Sequence, residues 1–218
     1  MTVHRLLQVF CAFLAATACA TAADRMHHRS GDAGRPAPGS RTYSMAFFRG
    51  SHHDDVDGIG LGFFPMHRNV SGVEIGLLGE VLDGDLRGFG WGTLWSVVGG
   101  GLRGGQFALL TCIADEPSAG CQISGVASSA GEFSGVQLAL LHNKAKAMEG
   151  VQLSLLANTV GGDLSGVQMA IVNRAAKVRG VQFGLLNFAD SLYGVQIGLG
   201  NSVNDSPLPW MPILNASF

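Results

Sequence analysis

A glycine-led octet recurs along most of this chain, and no other feature limits its fold as much. Clear copies begin at Gly135, Gly150, Gly166, Gly180 and Gly194, as in Gly150-Val151-Gln152-Leu153-Ser154-Leu155-Leu156. Each ends at or beside an asparagine: Asn143, Asn158, Asn173, Asn187 and Asn201. Worn copies begin upstream at Gly58, Gly72, Gly88, Gly104 and Gly120, so successive leading glycines lie 14 to 16 residues apart. Self-similarity at a fixed short period means one supersecondary unit repeated, each copy burying its neighbour's inner face.

Within a copy the residues one, three and five places after the glycine are apolar, while Gln and then a small residue occupy the places between. Strict alternation is the period of a strand with two unlike faces, and a glycine at every copy opposes helix. Asp190-Ser191, Asn204-Asp205, Gly161-Gly162-Asp163 and Asp83-Gly84-Asp85 carry turn chemistry between apolar neighbours. If the shortest copies use two-residue turns, a strand holds about 12 residues and, tilted, rises about 28 Å, near the hydrocarbon thickness of a bilayer. Charges such as Lys144, Asp163, Arg174, Lys177 and Asp190 fall near strand ends, and Glu74 is the only charge inside an octet from Gly72 onward.

This pattern predicts an all-β fold, an up-and-down antiparallel transmembrane β-barrel of about 12 strands. Ten octets, a strand at Tyr43–Phe48 and another at Trp210–Phe218 make the even number that bacterial barrels use. The lipid-facing wall is then Val151, Leu153, Leu155, Val167, Met169, Ile171, Val181, Phe183, Leu185, Val195, Ile197 and Leu199. Pro212, inside the last strand, fits poorly because it lacks an N–H. The rival is a β-solenoid, one coil per repeat. It accounts for spacer pairs such as Ala175/Val178 and Ala189/Leu192, which recur in every copy whatever the strand direction.

Outside the repeats, residues 1–23 read as an export signal, with His4 and Arg5 before an apolar stretch and Ala20-Thr21-Ala22 as a small-residue cleavage site. Cys19, after Ala16-Thr17-Ala18, offers a second reading as a lipidated N-terminus. Residues 24–41 are a disordered lead-in rich in Gly, Pro, Ser, Arg and His, and 42–218 form the repeat domain. Charged residues make up only 14% of the chain, and mean hydropathy is +0.27. A net charge of −2 argues against nucleic acid as a partner.

The Gly-Val-Gln-x-[Gly/Ala/Ser]-Leu-Leu-Asn copies, the run Arg68–Leu77 and the ending Met211-Pro212-Ile213-Leu214-Asn215-Ala216-Ser217-Phe218 resemble the bacterial surface-repeat family of predicted outer-membrane proteins. The resemblance covers roughly Tyr43–Phe218; the middle copies at Gly88, Gly104 and Gly120 depart from it. It implies a cell-surface location and no established activity. It also implies membrane lipid as surroundings, with Phe218 as a signal to the outer-membrane barrel assembly machinery.

Candidate chemistry is sparse. Gln106, Gln122, Gln137, Gln152, Gln168, Gln182 and Gln196 would line a barrel lumen, either as a ring of amides in a small uncharged pore or as an interlocked plug. His52-His53-Asp54-Asp55 with Asp57 contains metal-ligand types, yet neighbours on one loop rarely converge on one ion; the cluster reads as a solvated loop, and no metal or other cofactor is expected. His27-His28, His67 and His142 have no supporting cluster. Cys112 and Cys121 would meet across a hairpin and, in an oxidising compartment, form a disulfide. Ser128, Ser129 and Ser134 find no histidine at a recurring inward position, so no enzyme and no catalytic residue is expected. The reading is a structural or surface barrel without catalysis, with a passive pore and an exported solenoid binding surface as alternatives. Neither the extracellular ligand nor the oligomeric state is legible.

Overall fold

The computed structural model describes residues 55–218 and, for the backbone alone, residues 41–46. The segment read as an export signal, Cys19, the expected lead-in up to residue 40, His27-His28 and His52–Asp54 lie outside the described residues. The first strands are β1 (Arg41–Ala46), β2 (Asp55–Gly62), β3 (Met66–His67), β4 (Asn69–Gly76), β5 (Gly79–Leu82), β6 (Leu86–Gly92), β7 (Trp95–Val98), β8 (Leu102–Ala108), β9 (Thr111–Ala114) and β10 (Ser118–Ser124). Longer strands follow: β11 (Ala127–Ala139), β12 (His142–Ser154), β13 (Ala157–Met169), β14 (Val172–Phe183), β15 (Leu186–Val203) and β16 (Trp210–Ser217).

Every pairing from β1 to β15 is parallel and joins the same place in successive repeats. Gly150 pairs with Gly135 and Gly166, and Gln152 with Gln137 and Gln168. Each repeat is therefore one full coil, and the fold is a parallel β-solenoid of about ten turns, not an antiparallel barrel. The barrel also required β1 to close against the last strand. Instead β1 pairs with β2 and β16 with β15, at opposite ends of the sheet order. At the ~4.8 Å spacing of paired strands, ten coils rise about 45 Å.

A coil has two sides joined by two corners. One side carries the Gly-Val-Gln segment and the other the short segment around the asparagine; in the early coils the latter is a separate strand, β3, β5, β7 or β9. From β11 onward one strand bends round a corner and serves both sides, which accounts for its greater length. At one corner stand paired apolar residues such as Leu155-Leu156, and at the other turn residues such as Gly161-Gly162-Asp163.

The leading glycine is required by geometry. Gly166 has φ +142°, and a Cβ there would lie 2.0 Å from the Gly150 carbonyl oxygen. The same left-handed backbone recurs at all ten leading glycines from Gly58 to Gly194, so the column lets each coil settle onto the one below.

The interior is filled by residues stacked on their own kind. Two places before each glycine, Val56, Val70, Leu86, Leu102, Phe133, Met148, Leu164, Val178 and Leu192 form one buried column, broken only by Ser118 before Gly120. On the opposite side Leu82, Val98, Ala114, Ala130, Ala145, Val160, Ala175, Ala189 and Val203 form another. Together these make up most of the apolar core, next to the turn corner. The half of the interior beneath the leucine corner holds amides instead.

β16 ends the stack by reversing direction and pairing antiparallel with β15. Its register is broken between Met211 and Ile213, around Pro212, and Ile213 takes φ +70°. The proline that disfavours a regular strand thus sits at an irregularity of the terminal one.

Candidate functional site

The glutamines expected to line a lumen are fully buried, and the interior they occupy is closed. From Gln122 onward each donates from Nε2 to Oε1 of the glutamine one coil earlier: Gln152 to Gln137 at 2.7 Å, Gln168 to Gln152 at 2.8 Å, Gln196 to Gln182 at 2.8 Å. Asn215 of β16 continues the column by donating to Gln196, and at the other end Gln106 donates to the Ser96 carbonyl and hydroxyl. The interlocked network is the arrangement present, and among the described residues no pore runs through the coils.

The asparagines form a second ladder running the other way. Asn143 donates to Asn158 Oδ1 at 3.0 Å, Asn158 to Asn173, Asn173 to Asn187 and Asn187 to Asn201. Each also caps backbone carbonyls at the leucine corner, as Asn158 does for Gln152 and Met169. The ladder starts at Asn143 because Ser128, one coil earlier, shares its hydroxyl hydrogen bond with Ser124.

Sequence reasoning missed a buried acidic cluster in the early coils. Glu74 stands in the glutamine column and Glu80 in the asparagine column, both completely buried. Glu74 Oε1 lies 2.9 Å from His67 Nδ1, and Ser96 donates to Glu80. Gly60 and Gly90 flank Glu74 in its column and leave the room: a Cβ on Gly60 would meet Glu74, and one on Gly90 would meet Glu80, both within about 2 Å. Burial pushes the Glu80 carboxyl up to about 8, with the neighbouring Glu74 adding to the shift and Ser96 opposing it. The signal available was Glu74, the lone charge within an octet, between two glycines where other copies carry glutamine. Glu80 lies outside the octet and carries no such mark.

The hairpin expected at Cys112 and Cys121 is absent, and both are free thiols. The parallel course puts Cys112 inward on β9, its Sγ donating to the Ile123 carbonyl, and Cys121 on the following coil beside the glutamine column. Burial raises both thiols above their ordinary range, Cys112 far more strongly. Asp55, of the histidine-aspartate run, is held by the Arg68 guanidinium at 3.0 and 2.6 Å and by Asn69 at 2.9 Å, and Arg68 draws its carboxyl below the usual range. Among the described residues no group of three or more His, Cys, Asp or Glu is placed to hold a metal ion. Ser129 and Ser134 face outward, apart from each other along β11.

The residues assigned to a lipid-facing wall do point outward. Leu155 is 57% exposed, Leu185 50% and Leu199 72%, with Met169, Ile171, Phe183 and Ile197 exposed and Val151, Leu153, Val167, Val181 and Val195 half-covered by neighbouring coils. They occupy one side and one corner of the coil, whereas a transmembrane barrel would need them all round. Phe63, Leu77, Leu109 and Leu140 extend the corner row toward the first coils, and Phe89, Trp91 and Phe107 add stacked rings beside it, the latter two 4.4 Å apart. About 17 Å wide and about 45 Å long by strand geometry, the face covers roughly 750 Å², more than the few hundred Å² usual on a soluble monomer. Phe218, expected to signal barrel assembly, is 85% exposed and rests edge-on against Tyr193.

No protein-family model matches the chain, and no curated protein or solved structure does so either.

Proposed function

We propose that this chain is an exported, non-catalytic β-solenoid of the bacterial surface whose activity is binding through its long apolar face. One observation carries the reading. The amides that could have lined a pore are committed to each other inside, while the apolar columns are displayed outside along nearly every coil. A folded chain ordinarily arranges these the other way round, and an apolar patch of this extent marks an interaction site. The segment read as an export signal and the resemblance to the surface-repeat family support binding at the cell envelope.

The test uses the full chain expressed in a Gram-negative host, beside a triple variant, Leu140→Ser, Leu155→Ser and Leu185→Ser. These side chains are exposed, so circular dichroism should show an unchanged fold. The parent is expected in the envelope fraction and the variant free in the periplasmic extract. A folded variant that stays with the envelope as the parent does would overturn the reading.

A further inference from the structure

The charges beside the apolar face differ in sign from those on the opposite corner. On the glutamine side the outward place before each leading glycine holds Arg87, Arg103 and Arg179, against Asp57 and Glu149. Beyond the leucine corner, on the asparagine side, the outward row holds Lys144 and Arg174. Arg103, Lys144, Arg174 and Arg179 are all exposed; Arg87 lies 3.9 Å from Asp85. At the far corner acidic side chains prevail, with Asp115, Glu116, Glu132, Asp163, Asp190 and Asp205 against Arg68, Lys146 and Lys177. The charges that border the apolar band are thus five basic against two acidic, and the mainly acidic corner points away from it.

From this we infer that the occupant of the apolar face is the surface of an anionic lipid bilayer, on which the solenoid lies with its axis parallel to the membrane. The inference rests on the binding role proposed above and names its partner. The leucine corner enters the boundary between headgroups and acyl chains, as the apolar side of an interfacial amphipathic element does. The bordering arginines and lysine meet the lipid phosphates, and the mainly acidic corner is held away from them. A second copy of the chain is the poorer occupant, because joining two such faces brings together two borders that each carry a net positive charge. A spanning arrangement does not arise, since the turn corner carries charges that hydrocarbon would not accept.

The experiment is flotation of the purified full chain with vesicles of phosphatidylcholine alone and of phosphatidylcholine with one-third phosphatidylglycerol. Strong binding is expected only to the second, weakening as salt is raised from 50 to 500 mM. The triple serine variant should lose binding at least tenfold. Arg103→Gln with Lys144→Gln, and separately Arg174→Gln with Arg179→Gln, should each lose it roughly tenfold or more, given about fivefold for each basic side chain. Equal binding to both vesicles, or none to either, overturns the lipid assignment. If the parent floats with neither but retains its leucine-dependent place in the envelope fraction, the partner is a protein or glycan, and the binding role stands without this inference. If sedimentation without lipid shows an oligomer that the serine variant abolishes and no flotation occurs, the face joins copies of this chain and the inference fails.

Discussion

Gln152 illustrates what a single residue contributes here. Its amide accepts from Gln168 and donates to Gln137, so truncation strands a donor on one side and an acceptor on the other inside a closed interior. Gln152→Ala should cost about 2–4 kcal/mol in urea unfolding, from unpaired amides and a cavity together. Leu155→Ser, on the outer face of the same coil, should change stability by less than about 0.5 kcal/mol. Glu80 has a different signature. Its folded-state carboxyl titrates near 8 against an ordinary value of 4.5, so the folded chain holds a proton that the unfolded chain has released between those values. Stability from this group is present in full below about pH 4.5 and is lost as pH rises toward 8. The melting temperature should therefore fall by several degrees from pH 5 to pH 8, and Glu80→Gln, which keeps a partner for Ser96, should flatten that slope. Thiol labelling gives a third check at this scale: the half-exposed Cys121 should react with iodoacetamide well before the buried Cys112.

At the scale of the element, the glycine column decides whether one coil can rest on the next. Gly166→Ala places a methyl group against a carbonyl and forces a left-handed backbone on alanine, so it should cost at least ~2 kcal/mol in thermal or urea unfolding. Gly161→Ala, at the turn corner, meets nothing closer than the Lys146 carbonyl at 3.9 Å and should be neutral or gain about 0.4–1 kcal/mol. Strands, their alternation, and the outward and inward residues were all legible in the sequence, because period two reads the same in a barrel wall and a solenoid side. What separates the two is direction, and that evidence lay outside the octet. Ala175/Val178 and Ala189/Leu192 recur because parallel stacking sets each residue on its own equivalent; antiparallel strands would set it on another. An even strand count and a terminal aromatic weighed toward the barrel, and the disulfide between Cys112 and Cys121 followed from the hairpin that the barrel assumed. The buried acidic cluster was half legible, at Glu74, since glycines making room for a neighbour's carboxylate look like worn repeat positions until the coils are stacked.

For the whole molecule, each coil touches only its neighbours, so stability propagates along one axis. The amide ladders run from Gln106 to Asn215 and from Asn143 to Asn201, whereas the early coils hold charged and small residues in those columns. Hydrogen exchange should accordingly show residues 55–98 opening at lower free energy than residues 135–203. The reversal at β16 has a consequence of another order. A parallel stack is open-ended by construction: any coil offers the next a matching edge, and nothing in the repeat itself says how many there should be. An antiparallel strand laid over the final coil, irregular at Pro212 and Ile213, presents a face on which the repeat cannot begin again. A chain cut at Pro209 should therefore associate end to end more readily than the full chain, seen by electron microscopy, because the antiparallel strand no longer covers the last coil's edge.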